Sequence, residues 1–400
     1  MAIRTQIVDL TVMGRLLILL ARDQLRPEQV NALPALVSGI EDWDLFINRC
    51  EEHFILPVAL RHLSILPNEL FPQSVREKLR LRAMKIIARA LKIAGAQKSF
   101  AEKVLVQGRF HHAFVKGQAL AGSYYSQPGD RFCRDVDLLV DKHDLVDILD
   151  LAQQCGYLVF PDRRILSRRD LVAAAKLRPV ACLIGQEGIL FEIHSELDKT
   201  GLIFTTSKLL ASVERRIVHG TGLMVLPTTE HFVFVCLHST RHLWSHLNWL
   251  VDLDALVRSR DFKERDALEF AEELGVLSTV QACLDMYREC ANIELSRTSL
   301  NSHARDLFDV LTMHVDSGPE IEFEMRIDRP LPDFSFPWQA TRPYKLRALA
   351  YSSFSSLRPN FKDYEALPLP SYLFWVYYFT RPFSARKRVR ARAALKEEID

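Results

Sequence analysis

The chain has 400 residues, of which 48% are hydrophobic and 26% charged, and its formal net charge is +2. This composition is typical of a globular protein with a substantial core, organised as two or three domains or as one domain with large helical extensions, and the near-neutral charge does not indicate a nucleic-acid partner. No apolar run reaches membrane-spanning length, and LLILLA at residues 16–21 is too short for a secretory signal.

The seven cysteines are scattered along the chain and include no Cys-x-x-Cys pair. Such spacing is typical of reduced thiols and gives no support for a structural zinc site. We therefore expect a cytoplasmic protein without disulfide bonds.

Hydrophobic periodicity divides the chain into four regions. Apolar residues at three- and four-residue spacing, interrupted by prolines, predict an N-terminal helical region over 1–108. Strand-like segments predict a β-containing unit over 109–226. A second helical pattern, which starts at Thr228, predicts a helical domain over 227–316. Residues 317–345 are rich in Pro, Asp and Phe, so 317–400 is expected to be a loop-rich and helical C-terminal region.

Elements of the central unit follow from its local patterns. Residues 109–140 predict a strand, a turn region and a second strand, and 145–157 predict a helix that ends near Gly156. Residues 171–185 and 188–197 predict a pair of strands joined by a turn at Gly185–Gly188.

Two aspartates open the second of these strands, in the sequence DVDLLV at residues 135–140. Side chains alternate between the two faces of a strand, so Asp135 and Asp137 point to the same side. Neighbouring carboxylates repel each other unless a cation lies between them, and Mg²⁺ prefers oxygen ligands of this kind. The pattern indicates metal-assisted phosphoryl or nucleotidyl chemistry.

Asp-x-Asp also occurs at two other places, so the spacing alone is weak evidence. Asp42 and Asp44 lie at the polar start of a predicted helix, where acidic residues favour the helix dipole. Asp252 and Asp254 lie within a helical pattern, where they point about 200° apart and cannot share one ion.

A third carboxylate lies on another strand-like run, ILFEIH at residues 189–194. Glu192 and His194 share one face of this predicted strand. On a strand next to DVDLLV, Glu192 would complete a three-carboxylate site. The alternative is a half-buried strand that merely exposes a glutamate to solvent.

These residues, with others along the chain, resemble the uncharacterised nucleotidyltransferase family of the polymerase-β-like superfamily. The resemblance extends over roughly residues 10–260. The matching positions are Trp43, Phe46, His53, Pro57, Lys116, Gly117, Ala119, Tyr124, Tyr125, Pro128, Gly129, Arg131, Asp135, Asp137, Glu192, His194, His238, Trp249, Leu250 and Asp252. Gln118 departs from the wider superfamily, which has Gly or Ser at this position.

The resemblance implies an α+β fold, with a small mixed β-sheet nucleotidyltransferase core flanked by N-terminal and C-terminal helical regions. It also implies a transferase that moves an NMP group from an NTP, with ATP expected, to an unidentified acceptor hydroxyl. Asp135, Asp137 and Glu192 are the expected catalytic residues and the expected ligands of Mg²⁺ or Mn²⁺.

Five further residues are expected to contact the nucleotide: Lys116, Gly117, Arg131, His194 and His238. Lys116 and Arg131 would offset phosphate charge, and the glycine would let the backbone approach the phosphates. The alternative for the two cations is that they only balance nearby acids.

Three histidines, His238, His242 and His246, recur every four residues in a predicted helix. They would lie along one helix face, where neutral imidazoles can share a zinc ion. The alternative is a helix face that lines a polar cleft. No His-Glu-x-x-His pattern is present.

The C-terminal segment SYLFWVYYFTRPFSARKRVRARAALK combines an aromatic run with six basic residues between Arg381 and Arg392. Aromatic residues beside basic ones are typical of peripheral membrane contact. The alternative is a helix whose aromatic side packs on the body of the protein.

An alternative function is a catalytically inactive protein of the same fold, which binds a nucleotide or a partner or serves as a scaffold at a membrane surface. The three carboxylates argue against it, because a module that only binds has little need for acids that repel each other.

Overall fold

The protein's structure, a computed structural model, describes residues 10–318, 331–355 and 357–381. Within these residues, five α-helices precede the sheet: α1 Val12–Leu20, α2 Pro27–Val37, α3 Trp43–Glu52, α4 Leu56–Leu63 and α5 Gln73–Phe100. A π-helical stretch, Ala101–Val106, continues α5. Asp42 caps α3, because its carboxylate accepts a hydrogen bond from the Leu45 amide at 2.8 Å.

Seven strands form one mixed sheet: β1 His112–Phe114, β2 Asp135–Val140, β3 Leu158–Phe160, β4 Ala181–Ile184, β5 Leu190–His194, β6 Glu214–Val218 and β7 Thr221–Val225. Their order across the sheet is β3-β4-β5-β2-β1-β7-β6. The β2–β5 and β1–β7 pairs are parallel, and the other neighbours are antiparallel. Four helices connect the strands: α6 Gly117–Tyr124, α7 Leu145–Gln154, α8 Arg168–Leu177 and α9 Thr206–Ser212.

Helices follow the sheet in the remaining described residues. Their bounds are α10 Thr228–Arg241, α11 Asn248–Val257, α12 Glu264–Glu273, α13 Leu277–Cys290, α14 Ser302–Ser317, α15 Arg342–Ser355 and α16 Phe361–Ala366. The predicted α+β class, with helices on both sides of the sheet in sequence, is therefore confirmed.

The two faces of β2 pack in two different hydrophobic clusters. Val136, Leu138 and Val140 pack with α7 and the end of α5 in one apolar cluster. Leu139 points the opposite way and joins the other cluster, which contains the apolar faces of α1 to α4 and of α10 to α14. Side chains two positions apart on a strand lie on the same face, so Asp135 and Asp137 lie on the same face as Leu139. The carboxylates therefore face the helical body of the protein.

The helices before and after the sheet share this larger core. Residues 16–86 and 226–348 both contribute to it, so the N-terminal helical region and the 227–316 helical domain pack against each other. The boundaries of the four proposed regions stay a prediction, although all seven strands of the described residues lie within 109–226, the expected central unit.

Several local predictions differ from the structure. The expected turn region before β2 contains helix α6, which begins at Gly117. Residues 171–177, expected to be strand, belong to α8, where alanine and leucine favour a helix and one side of it packs inward. Strand β4 and the turn at Gly185–Gly188 are as predicted, and the Gly185 amide closes that turn by donating to the Ile189 carbonyl at 3.0 Å. The β6–β7 hairpin was not anticipated.

The expected long loop over 317–345 is only partly testable, because residues 319–330 lie outside the described ranges. Its described part contains a short 3₁₀-helix at Pro337–Gln339, and α15 begins at Arg342. All seven cysteines are free thiols, as predicted. Within the described ranges, no helix is both long enough and apolar enough to cross a bilayer.

Candidate functional site

Two parallel strands bring the predicted carboxylates together. Asp137 on β2 lies directly beside Glu192 on β5, and Asp135 lies two residues earlier on the same face. Leu139 and His194 form the next pair on that face. The prediction that Glu192 lies on a strand adjacent to the aspartate pair is therefore confirmed.

A set of three ligand atoms lies at the centre of this face. One oxygen each from Asp137 and Glu192 and one ring nitrogen of His194 all lie within 4.8 Å of one another. The His194 Nε2 is 3.3 Å from Asp137 Oδ1 and 3.6 Å from Glu192 Oε2. His194, expected as a nucleotide contact, thus lies in the tight group, whereas Asp135 lies outside it.

Lys116 enters the same face from the turn between β1 and α6. Its Nζ lies 2.8 Å from Asp137 Oδ1, so the ammonium and the carboxylate form an ion pair. Gly117, the first residue of α6, has φ +59°, a left-handed conformation that glycine adopts without strain. This conformation turns the chain sharply from β1 into the helix and leaves Lys116 beside the carboxylates.

The two aspartates titrate differently because their surroundings differ. Burial raises the pKa of Asp135 to about 6, and the neighbouring Asp137 carboxylate adds to this effect. Burial also acts on Asp137, but the Lys116 ammonium and the His194 hydrogen bond outweigh it and hold the Asp137 pKa well below its usual range. The hydrogen bonds to Asp137 and Glu192 raise the pKa of His194 despite its burial.

Arg131 lies beneath the site in a buried ion pair. Its guanidinium donates two hydrogen bonds to Asp252, at 2.8 and 2.9 Å. Tyr125 donates its hydroxyl hydrogen to the same carboxylate at 2.6 Å. Burial acts to lower the pKa of Arg131, but the charge and hydrogen bonds of Asp252 outweigh burial, so the arginine pKa is raised. The guanidinium is thus held by α11 and is not directed into an open cleft.

His238 lies on α10, and its ring contacts Phe234, His242 and Trp249. Burial and the nearby Lys116 ammonium hold the pKa of His238 well below its usual range, so the ring is neutral near pH 7. Arg241 approaches the ring with an Nη2–Nδ1 distance of 3.4 Å. The contact of His238 with the nucleotide stays a prediction.

The expectation that three histidines share one helix face is wrong for His246. Helix α10 ends at Arg241, and Leu243 and Trp244 adopt left-handed backbone conformations that redirect the chain. The His246 ring instead packs on Phe54, with 4.4 Å between ring centroids. Among the described residues, the three histidines do not form a group with metal-ligand spacing.

The other two Asp-x-Asp pairs have the structural roles predicted for them. Asp42 is the cap of α3, and Asp44 forms an exposed ion pair with Lys78 at 2.8 Å. Asp254 lies on α11 and accepts a hydrogen bond from the Tyr287 hydroxyl at 2.8 Å.

Sequence reasoning left open that Lys116 and Arg131 balance acids but did not identify the acids, which are Asp137 for Lys116 and Asp252 for Arg131. Arg131 and Asp252 are 121 residues apart, and no local pattern predicts their contact. Gln118 is also structural, because its amide donates to Cys133 Sγ at 3.0 Å and does not point at the carboxylates.

Comparison with known proteins identifies the chain through one family model. The model described as "Uncharacterised nucleotidyltransferase" matches residues 40–292, which include every residue of the site. No curated protein matches the chain. The family supports a transferase class and a nucleotide substrate, consistent with the three-ligand group on the sheet. The chain therefore belongs to the uncharacterised nucleotidyltransferase family.

Proposed function

We propose that this protein transfers an NMP group from an NTP, with ATP the expected donor, to a hydroxyl of an acceptor molecule. The observation that carries the proposal is the strand register that sets Asp137 beside Glu192, with Asp135 on the same face. These three carboxylates are the proposed catalytic residues, and the turn at Lys116 and Gly117 lies where the phosphates would enter.

The donor set fits a divalent cation. Two carboxylate oxygens and one imidazole nitrogen converge within 4.8 Å, and Asp135 adds a carboxylate on the same face. We propose that Asp135, Asp137, Glu192 and His194 hold Mg²⁺ or Mn²⁺. A cation bound there would neutralise phosphate charge and lower the pKa of a coordinated hydroxyl.

The chain's own residues have distinct proposed tasks. Lys116 offsets charge on the triphosphate and on the leaving pyrophosphate, since its ammonium lies at the carboxylates and its side chain is 22% exposed. Asp135, with its pKa near 6, is suited to accept the proton of the attacking hydroxyl or to hold a second cation. The charge of Lys116 helps to keep His238 neutral, and a neutral ring can accept or donate one hydrogen bond to the nucleotide.

Arg131 has a proposed positioning role. Its side chain is fully engaged with Asp252, so it supports the segment that leads into β2. Its positive charge still reaches the site, because it lowers the pKa of Asp135 in opposition to burial. A direct contact between Arg131 and the nucleotide would require the buried pair to open.

The first test is pyrophosphate release from each of the four NTPs, with Mg²⁺ or Mn²⁺ and a panel of sugars and small alcohols as acceptors. We expect metal-dependent release that falls at least about a hundredfold in Asp135→Asn, Asp137→Asn and Glu192→Gln, because each change removes a negative ligand. Glu187→Gln, in the exposed β4–β5 turn, is the matched control and should retain full activity.

Thermal unfolding of each variant shows whether the fold is kept. Full activity in a folded Asp137→Asn protein would refute the site. Metal-dependent NTP binding by calorimetry, without pyrophosphate release with any acceptor, would favour the inactive binding protein of the same fold.

A further inference from the structure

The sheet face that carries the site carboxylates continues beyond them as an apolar surface. Strand pairing sets two rows of side chains across β2, β5, β4 and β3, and directly paired residues lie on the same face of a sheet. One row contains Asp135, Leu190, Ile184 and Leu158, and the other contains Asp137, Glu192, Cys182 and Phe160. Beyond the carboxylates every member is apolar, and we call these residues the apolar shelf: Leu158, Phe160, Cys182, Ile184 and Leu190. All of them are described, unlike the basic run beyond Arg381, whose membrane contact stays a prediction.

The two faces of β3, β4 and β5 differ in burial. On the opposite face, Val159, Leu183 and Phe191 are buried in a hydrophobic cluster. The five shelf side chains are only half-buried, and none of them belongs to or packs against a hydrophobic cluster of the described residues. Leu139, which lies on the shelf's face but two residues past Asp137, is buried in the larger core. In the described ranges, the larger core thus covers this face at Leu139 but not at the shelf.

We propose that the apolar shelf binds the body of the acceptor, and that the acceptor is therefore an alcohol with an aromatic or aliphatic body. This inference rests on the proposed transferase function. The shelf residues carry no charge and no polar group other than the Cys182 thiol, so they suit an apolar ligand. A sugar would lose hydrogen bonds to water on such a surface without replacing them.

The order of the strands favours the acceptor over the nucleotide as the occupant of the shelf. Lys116, the proposed partner of the leaving pyrophosphate, follows β1 and pairs with Asp137 at 2.8 Å. Strand β1 and strand β5 lie on opposite sides of β2. The attacking and leaving oxygens of a phosphoryl transfer lie roughly in line, so an acceptor opposite Lys116 enters over Glu192, where the shelf begins.

The transfer step then follows from this placement. The hydroxyl oxygen of the acceptor forms a bond to the α-phosphorus while the bond between that phosphorus and pyrophosphate breaks. The hydroxyl proton passes to a carboxylate of the site. The shelf holds the rest of the acceptor and so fixes the hydroxyl beside Glu192.

Protection of a thiol tests the shelf without requiring activity. Cys182 and Cys155 are the two half-buried cysteines, and the other five are buried. Cys155 is the matched internal control, because it packs against the cluster on the opposite face of the sheet. The full-length protein with Mg²⁺ is alkylated by N-ethylmaleimide in the presence of 2-phenylethanol, 1-hexanol or glycerol, and labelling at each cysteine is followed by peptide mass spectrometry.

We expect saturating 2-phenylethanol and 1-hexanol to slow the alkylation of Cys182 about fivefold or more, because a bound ligand covers most of the surface that it contacts. Alkylation of Cys155 should not change. Glycerol at the same concentrations should protect neither thiol, since it has no apolar body.

Matched substitutions of two isoleucines test the same surface by binding. Ile184→Gln should weaken the binding of 2-phenylethanol, measured by ligand-observed NMR, by about fivefold or more. Ile217→Gln is the control, because Ile217 lies on β6 at the other edge of the sheet and is 67% exposed. Both variants should bind Mg²⁺ and ATP as the unsubstituted protein does. Leu158→Gln, in the same row as Ile184, gives the same test if Ile184→Gln does not fold.

The proposal is overturned if neither apolar alcohol protects Cys182, or if glycerol protects it equally. Protection by adenosine but not by 2-phenylethanol would assign the shelf to the base of the nucleotide instead. Pyrophosphate release is a separate readout. Release with sugars alone would keep the transferase and overturn the acceptor class, whereas specific protection of Cys182 in a protein that releases no pyrophosphate would keep the shelf as a binding site and count against the transferase.

Discussion

Asp135 and Asp137 share one strand face, yet the surrounding residues stabilise the negative charge of Asp137 and destabilise that of Asp135. The Lys116 ammonium at 2.8 Å makes the charged form of Asp137 favourable. Asp135 is partly buried without such a partner, and repulsion from Asp137 and Glu192 adds to its cost. The site therefore contains one carboxylate whose ionised form is stabilised and one whose ionised form is destabilised. Such a difference is typical of a functional site.

This difference predicts that Asp135→Asn stabilises the protein. The Asp135 pKa is higher in the folded than in the unfolded chain, so its ionisation opposes folding, fully above pH 6 and not at all below its ordinary pKa. We expect a gain of about 1 to 3 kcal/mol in the free energy of unfolding at pH 7.5, and about half of that at pH 5.0.

Urea unfolding of Asp135→Asn and the unsubstituted protein, without added metal, measures the gain at each pH. Glu187→Gln should show no comparable gain. A destabilised Asp135→Asn, or an equal gain at both pH values, would contradict the account of the Asp135 charge.

At the scale of elements, α6, α11 and the segment before β2 meet at Asp252. Tyr125 and Arg131 supply three hydrogen bonds to its carboxylate, and all three side chains are buried. A neighbouring network also pairs an arginine with aspartates. Arg61 on α4 donates a hydrogen bond to Asp130 at 2.6 Å and forms an ion pair with the buried Asp23. These contacts fix the start of β2, and hence Asp135, relative to the helical body.

Removal of one partner should be costly, because it leaves a buried charge uncompensated. We expect Asp252→Asn to lower the free energy of unfolding by about 3 to 5 kcal/mol. The double variant Arg131→Met/Asp252→Leu should lose much less than the sum of the two single changes, since no charge is stranded. Urea unfolding of Arg131→Met, Asp252→Leu and the double variant measures this coupling, and Asp252→Asn is unfolded beside them.

An exposed pair provides the comparison. Arg168 and Asp147 are 2.6 Å apart but more than half exposed, so Asp147→Asn should change stability by less than about 0.5 kcal/mol. Additive losses at Arg131 and Asp252 would show that the buried pair does not act as a unit.

At the scale of the whole molecule, the large helical core encloses several histidines. Burial lowers the pKa of His53 to about 3, and those of His231, His246 and His314 to about 4. They come from both the N-terminal and the later helical regions, which share one core. Protonation of each ring therefore opposes folding.

This burial predicts sensitivity to acid. A histidine whose folded pKa is lowered contributes stability that is fully present above pH 6.5 and is lost as the pH falls, because the unfolded chain binds the proton. We expect each such ring to remove about 2 kcal/mol of stability between pH 7.5 and 5.0.

Thermal unfolding across this pH range provides the measurement. His314→Leu should show a shallower loss than the unsubstituted protein, whereas substitution of the exposed His111 by Gln should leave the loss unchanged. An unfolding temperature independent of pH between 7.5 and 5.0 would contradict the prediction.

The sequence by itself determined which carboxylates share a face and that helical regions precede and follow the strands. Alternation with period two in DVDLLV and ILFEIH is a local property, and so is the helical periodicity around Asp252 and Asp254. Those patterns, together with the family resemblance, were sufficient to predict the α+β class and the carboxylates at the centre of the site. Helix α8 was predicted to be part of a strand, because a short apolar run fits a buried strand as well as a helix.

Only the tertiary structure decided what surrounds those carboxylates. The register between β2 and β5 places Asp137 beside Glu192 and brings His194 into the group. Packing of α11 against the segment before β2 joins Arg131 to Asp252, and the left-handed turn after α10 separates His246 from His238. These contacts join residues far apart in the chain, and their energy comes from burial and charge pairing that no local pattern contains.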